Sequence, residues 1–549
     1  MKEEMGVAKT CLEYLRLLLR GITFFYLAVT AFLMPLYFDT ETDYGAIGSN
    51  KSGLFQNWGF AAARMFAVIF VCFVFFALIC WLKEHKGCKG KLSLLINELL
   101  DSLSVTDKFI LFYLVILALS YYYTDYRDDL LMGADGWYMG FFPQLVFIGF
   151  YFAISRFLTK KQVGYILGGM LFLSAIVFTL GILSRYGVNP LCMESSGPSF
   201  ISTIGNINWY CGYWSVLFPL GAGAFLFGER KRILLGFFVA IGFATGVTQG
   251  SDSGILTIVG LVLLTGCLCV GKSKRMKHFL QMLLIFCGVT ILLSLVQFFF
   301  PERNEYITSV YTLLTGSPLS YIAGGLLLLL YLFFYTGHNR DKDKTAFALR
   351  LLWWSFAGVS FAAITGFIVL LLLNTKNPGC IGSLSENPAF VWNETWGSNR
   401  GGTWTLGLKT WWSQDFLHKL VGVGPDGMAY YIYSGADEAL LAATKAQFGV
   451  NRLTNAHGEW ITILANMGLF GLAGFAGMMI SAIIRFIKKP AGGLLCFACG
   501  LSLFCYTVNN VFSFWQIMNI TQMFIVLGMG ECLLRKEKSN DDEDSDCGR

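Results

Sequence analysis

Along this chain, runs of roughly 20 apolar residues recur from end to end, separated by short polar connections. That is the length an α-helix needs to cross a ~30 Å hydrocarbon core with its backbone hydrogen bonds satisfied internally. About fourteen such runs predict transmembrane helices, near residues 18–38, 60–82, 108–124, 139–157, 163–184, 209–227, 233–249, 254–271, 279–300, 319–337, 351–373, 461–484, 491–510 and 512–534. The expected fold is an all-α polytopic membrane protein. Helices 1 to 11 lie within residues 1–373 and helices 12 to 14 within 461–534. Between them, residues 374–460 form one large polar loop expected to hold short helices of its own.

Composition agrees with the pattern, because 549 residues with 55% hydrophobic, 16% aromatic and only 14% charged residues cannot make an ordinary soluble surface. The charges are unevenly placed. Lys and Arg in short loops are retained on the cytoplasmic side, and alternate connections carry them: Lys83 to Lys91, Lys160 and Lys161, Arg230 to Arg232, Lys272 to Lys277, Arg340 to Lys344, Arg485 to Lys489 and Arg535 to Lys538. Both termini are therefore expected inside the cytoplasmic membrane, with the 374–460 loop outside. This bias accounts for the net charge of +6 and calls for no nucleic-acid partner.

The first apolar run is span-length and lacks a small-residue cleavage site, so it is expected to stay as an anchor. Most of the 15 cysteines fall inside spans, where a thiol is a small apolar filler; Cys192 and Cys380 sit in outer loops, and spacing alone does not pair them. No Cys/His cluster has metal-ligand spacing. The acidic tail over 535–549 reads as solvated and disordered.

Several polar features stand out against the apolar background. The first outer loop offers Asp39, Glu41 and Asp43, which read either as a solvated hairpin or as ligands for a divalent cation and a lipid phosphate. Arg64 lies a few residues inside the outer end of the second span, where a cation must snorkel or meet an anionic head group. The fifth outer connection reads Thr203-Ile-Gly205-Asn206-Ile-Asn208-Trp209-Tyr-Cys-Gly212-Tyr213, and Thr248-Gln-Gly-Ser251-Asp252-Ser253-Gly254 precedes a later span. In the long loop stand Arg400 and Trp404, then Gly422-Val-Gly424-Pro425-Asp426-Gly427, then Ala456-His457, followed by Ile461-Thr-Ile-Leu-Ala465-Asn466-Met-Gly468-Leu-Phe-Gly471.

Taken in order, these motifs resemble the O-antigen ligase and O-antigen polymerase family of integral-membrane glycosyltransferases, over about half the chain, from Phe200 to Phe475. There are departures. Ile207 replaces a usual Pro, Asp252 stands where the family carries Arg, and Asn466 replaces a common Glu. The resemblance implies transfer or polymerisation of glycan from a polyprenyl-pyrophosphate-linked donor on the outer face, to a glycan, lipid or protein acceptor, with no cofactor and no required metal.

Such chemistry needs a base for the acceptor hydroxyl and a cation for the leaving pyrophosphate. Of the five histidines only His418 and His457 are expected outside, and His457 is the candidate base. Thr454 or Asn455 is expected to cap a helix starting there, so that the dipole's positive end keeps the imidazole neutral. Arg400 is the candidate phosphate-binding cation, since a guanidinium grips two oxygens in a fork. Substrate contacts are expected from Arg64, Arg185, Asn206, Asn208, Trp404, Gly424 and Asp426, with Arg64 ranked ahead of Arg185 and Arg303 as the second cation. Trp404, Leu408, Trp411, Trp412 and Phe416 share one helical face, read as core packing or an interfacial helix. Two other classes fit about fourteen helices: a lipid-linked oligosaccharide flippase, for which two similar halves are expected and none is seen, and a metal-dependent sugar transferase using Asp39 to Asp43.

Overall fold

The computed structural model describes residues 2–38, 46–134, 137–193, 201–229, 231–270, 273–303, 308–335, 342–488 and 492–535. The carboxylates Asp39, Glu41 and Asp43, and the tail from Lys536 onward, lie outside them. Among the described residues every regular element is a helix. In chain order the apolar ones are α1 (Gly6–Leu36), α2 (Ala46–Glu84), α3 (Val105–Tyr123), α4 (Phe141–Phe157), α5 (Lys160–Arg185), α6 (Ile207–Phe227), α7 (Arg232–Gln249), α8 (Asp252–Cys269), α9 (Lys274–Phe299), α10 (Leu319–Phe333), α11 (Phe347–Lys376), α12 (Glu459–Lys488), α13 (Gly493–Asn509) and α14 (Ile517–Leu534). Eleven are long and apolar enough to cross a bilayer, while α4, α10 and α13 are shorter. The chain is an all-α, multi-pass membrane protein.

Position in the bundle follows from how apolarity is distributed around each helix. α6 carries apolar or small residues on every side, which suits a helix surrounded by others. It and α14 form the centre, with 94% of their apolar stretch buried, against 6% for α2 and α11 at the periphery. α6 meets α13 closely because Gly223 backs onto Ala498, where a Cβ would come within 3.1 Å. Charges inside the bundle are paired, as the low dielectric requires. Arg485 of α12 forks onto Glu531 of α14 at 2.7 and 3.0 Å, and Asp107 accepts from Arg156 at 2.8 Å and from Tyr151 at 2.6 Å.

Two boundaries differ from the hydropathy reading. α2 begins at Ala46 because polar residues there are buried by partners: Lys51 donates to the carbonyls of Met34 and Pro35 at 2.7 and 3.3 Å, completing the open end of α1. The run at 512–534 is also shorter than expected, since residues 510–516 form a non-helical link and α14 starts only at Ile517. Aromatic residues make such a link as apolar as a helix, so hydropathy cannot separate the two.

The 374–460 loop folds as a cap on one end of the bundle. Asn374 sits within the last turns of α11 and ties the loop back, its Nδ2 donating to the carbonyls of Ser385 and Phe390 at 3.3 and 3.0 Å. Short helices over Trp396–Ser413, Phe416–Val421, Met428–Tyr433 and Glu438–Phe448 enclose a small core of Leu406, Met428, Ile432 and Leu440. The cap docks on a break in α12. There Asn466 accepts from Gly424 N through its carbonyl (3.1 Å) and from Met428 N through its side chain (2.8 Å), while Gln414 donates to Ala465 O at 2.8 Å.

That break exists because Gly468 takes φ +65 and ψ −170, a conformation open essentially to glycine alone. An added Cβ would also lie 2.4 Å from the Leu420 carbonyl carbon. Gly468→Ala is therefore expected to cost on the order of 3 kcal/mol and to undock the cap. Limited proteolysis should cut the variant within residues 414–430 under conditions that leave wild type whole; equal resistance would contradict this account of the docking.

Candidate functional site

Two side chains from opposite ends of the cap meet on the 510–516 link between α13 and α14. Arg400 begins the regular part of its helix, after three left-handed residues, Gly397, Ser398 and Asn399, at φ 59, 58 and 70. Its Nε donates to Phe512 O at 3.0 Å, Nη1 to Gly397 O at 2.9 Å and Nη2 to Asn208 Oδ1 at 3.4 Å, and the guanidinium lies 5.5 Å above the Phe512 ring. Asp252, the first residue of α8, stands 3.8 Å from Nη1 and accepts from the Ser398 hydroxyl at 3.1 Å. Burial holds the Arg400 pKa below its ordinary value and the Asp252 charge opposes the shift; the group stays protonated.

His457 packs two residues further along the same link. Its ring meets Phe514 edge to face, centroids 4.9 Å apart. Phe512 and Phe514 are separated by one residue, with Cα atoms at most about 7 Å apart, so Arg400 and His457 are held by the same short stretch of backbone. The electrostatics agree: burial first, and the Arg400 charge second, bring the His457 pKa down to about 4.

The imidazole is kept neutral by burial and the Arg400 charge, not by the helix dipole that the sequence suggests. α12 starts at Glu459, while His457 lies outside it with φ +50, fixed by its N–H donating to Asn455 Oδ1 at 2.9 Å. The open N–H of Glu459 donates to Asn510 O and Ser513 O, both at 2.9 Å, so the link itself caps the helix. The other outer candidate, His418, has both ring nitrogens engaged, by Asp415 at 2.5 Å and by Tyr123 O at 3.4 Å.

Of the remaining expected residues, Asn208 and Trp404 join the cluster. Asn206 stands behind it as the cap of α6, its Oδ1 accepting from Asn208 N at 2.7 Å. The Trp404 ring lies 5.2 Å from Phe512, and its indole N–H is buried with no acceptor among the described residues. Gly424 and Asp426 are placed elsewhere. Gly424 shapes the docking turn at φ +116, and Asp426 Oδ2 accepts from the backbone N–H groups of Ala134 and Met139 at 2.8 and 3.2 Å. Arg64 shares no contact with the cluster; it is exposed on α2, donating to Phe60 O of its own helix at 3.3 Å. Arg185 is nearer, contrary to the expected order of Arg64 ahead of Arg185. It is buried and donates to Gln249 Oε1 at 2.9 Å, three residues from Asp252. Cys192 and Cys380 are both free and exposed.

The sequence reading missed Phe512, Ser513 and Phe514, which looked like the start of a span. Only the preceding Asn509-Asn510 pair marked a helix end. It also missed a polar chamber behind His457, lined among others by Asn455, Glu459, Asn466, Phe514 and Trp515, with about 30 Å³ of room for water, above the ~15 Å³ that one molecule needs. Asp426 lines it too, and burial there raises its pKa to about 7 against the two backbone N–H groups. No group of three or more His, Cys, Asp or Glu with metal-binding geometry occurs among the described residues.

In comparison with known proteins, no family model matches this chain and no curated protein matches it.

The Asp426 shift has a consequence for stability. An acid whose pKa is higher folded than unfolded loses stability as pH rises between the two values, here from about 4 to about 7, by about 4 kcal/mol in all. Asn offers the same acceptor without a charge to bury. Asp426→Asn is therefore expected to melt above wild type at pH 8, with the gap closing toward pH 4; a variant that melts lower at pH 8 contradicts the assignment.

Proposed function

We propose that the protein is an integral-membrane glycosyltransferase of the O-antigen ligase or polymerase type, working on the outer face of the cytoplasmic membrane. Its donor is a glycan on polyprenyl pyrophosphate, and its acceptor a hydroxyl of a glycan, lipid or protein. The observation that carries this reading is that Arg400 and His457 hold the same short link, at Phe512 and at Phe514, since such a transfer requires a neutral base and a permanent cation within reach of one substrate.

In the step, the acceptor oxygen attacks the anomeric carbon of the donor as its proton passes to His457. The bond from that carbon to the phosphate oxygen breaks, and the pyrophosphate leaves with its new charge facing Arg400. Asn208 and the carbonyls of Gly397 and Phe512 hold the guanidinium in place, so little reorganisation accompanies the charge shift. A base with a pKa near 4 is available across the neutral range but weak. Donor binding strengthens it, because pyrophosphate charges offset Arg400 and favour the protonated ring.

His457→Ala is expected to lower transfer by roughly 10²–10⁴-fold and Arg400→Ala by roughly 10²–10³-fold. Purified protein in detergent, given lipid-linked glycan and acceptor, reports this as covalent product, which a flippase does not make. Wild-type turnover in either folded variant would falsify the assignment. The pH profile adds a second check: kcat/KM should keep its value down to about pH 5 and fall with an apparent pKa near 4, while the kcat limb lies higher.

A further inference from the structure

Next to Arg400 the cap builds an aromatic wall that the transfer step does not use. Trp392 and Trp396 lie 4.8 Å apart between centroids, and Trp396 and Trp404 lie 6.0 and 5.2 Å respectively from Trp404 and Phe512. The rings are tilted against one another by 35–60° in these pairs, and Trp392, Trp396 and Phe512 all remain partly exposed. Through Phe512 the wall is continuous with the guanidinium 5.5 Å above that ring. On the same side, Asp252 keeps 41% of its side chain exposed; its Oδ2 faces Ser398 and Arg400, while Oδ1 has no partner among the described residues.

A membrane-interface belt is the ordinary use of exposed tryptophans. The polar rim sets this wall apart. A carboxylate with an open oxygen, the Ser398 hydroxyl and a buried cation within a ring's width of exposed indoles suit a ligand that is apolar on its face and hydroxylated at its edge. A pyranose is such a ligand: its C–H face complements the electron-rich face of an indole, and its hydroxyls donate to a carboxylate.

We propose that Trp392 and Trp396, with Asp252 at the rim, form a binding subsite for a pyranose ring, and that this is the sugar next to the pyrophosphate; its identification as a donor subsite rests on the transfer reading above. Asp252 then acts on the sugar's hydroxyls while Arg400 faces the phosphates, which gives the acid in that position a task a second arginine could not perform. The Trp396 indole N–H is already bonded to Ala389 O at 3.0 Å, so the wall is held in place without ligand.

Two measurements test this separately from the transfer step. Purified protein in detergent is first applied to an array of phosphate-free oligosaccharides. Wild type and Arg400→Ala are expected to bind a common subset, and Trp392→Ala, Trp396→Ala and Asp252→Asn to bind it about tenfold more weakly, with Trp392→Phe and Trp396→Phe recovering most of the loss. In transfer assays the same substitutions should raise the donor KM about tenfold while kcat changes by less than about threefold. No oligosaccharide retained by wild type, equal retention by the Trp→Ala variants, or an unchanged KM overturns the subsite even if His457→Ala abolishes transfer. Tryptophan-dependent oligosaccharide binding by a protein that makes no transfer product supports the subsite and removes the transfer reading instead.

Discussion

The arrangement at the cap depends on the backbone of seven residues, 510–516. A link between two helices at the end of a membrane bundle leaves carbonyls and N–H groups that lipid cannot satisfy. Here the cap and α12 satisfy them: Glu459 N takes the carbonyls of Asn510 and Ser513, the Glu459 carboxylate takes Trp515 N at 2.7 Å, and Arg400 Nε takes Phe512 O. The same bonds that complete the membrane domain therefore orient the two groups on which the proposed chemistry turns. Disturbing the link would disturb fold and site together.

Arg400 illustrates how a charge is kept at such a place. Its side chain is only 8% exposed, a position that would be costly for a lone cation. Three of its five N–H groups meet oxygen acceptors, a phenyl ring lies beneath it, and the Asp252 carboxylate stands in front at a distance longer than a hydrogen bond. Two of its N–H groups therefore have no hydrogen-bond acceptor among the described residues. The left-handed turn at Gly397 to Asn399 gives Ser398 its place beside Asp252. Backbone strain of this kind, on the order of 1 kcal/mol for each non-glycine residue, persists only where surrounding contacts enforce it.

His457 and Asp426 show burial acting in opposite senses on two groups, one against the Phe514 ring and the other lining the chamber that this ring borders. The imidazole is driven toward its neutral form and the carboxylic acid toward its protonated one, so near neutral pH the ring is uncharged and Asp426, with a pKa of about 7, is only partly ionised. The charges that remain near Arg400 belong to Arg400 and Asp252.

What the sequence determined by itself was the class of the molecule and the outline of its helices, because a helix that must cross hydrocarbon announces its length in apolar residues regardless of what it packs against. His457 and Arg400 also stood out in the sequence, as the candidate base and candidate cation in the one long polar stretch. Their meeting did not. It arises from a link whose aromatic residues are indistinguishable by hydropathy from the span that follows, and from carbonyls that carry no sequence signal. Tertiary structure likewise decided that α2 starts at Ala46, since Lys51 is helical and buried only because Met34 and Pro35 leave carbonyls open to it. It moved Gly424 and Asp426 from substrate to docking, brought Arg185 closer than Arg64, and paired Asp252 with Arg400, because each of these depends on which helices become neighbours, a long-range matter that local pattern does not encode.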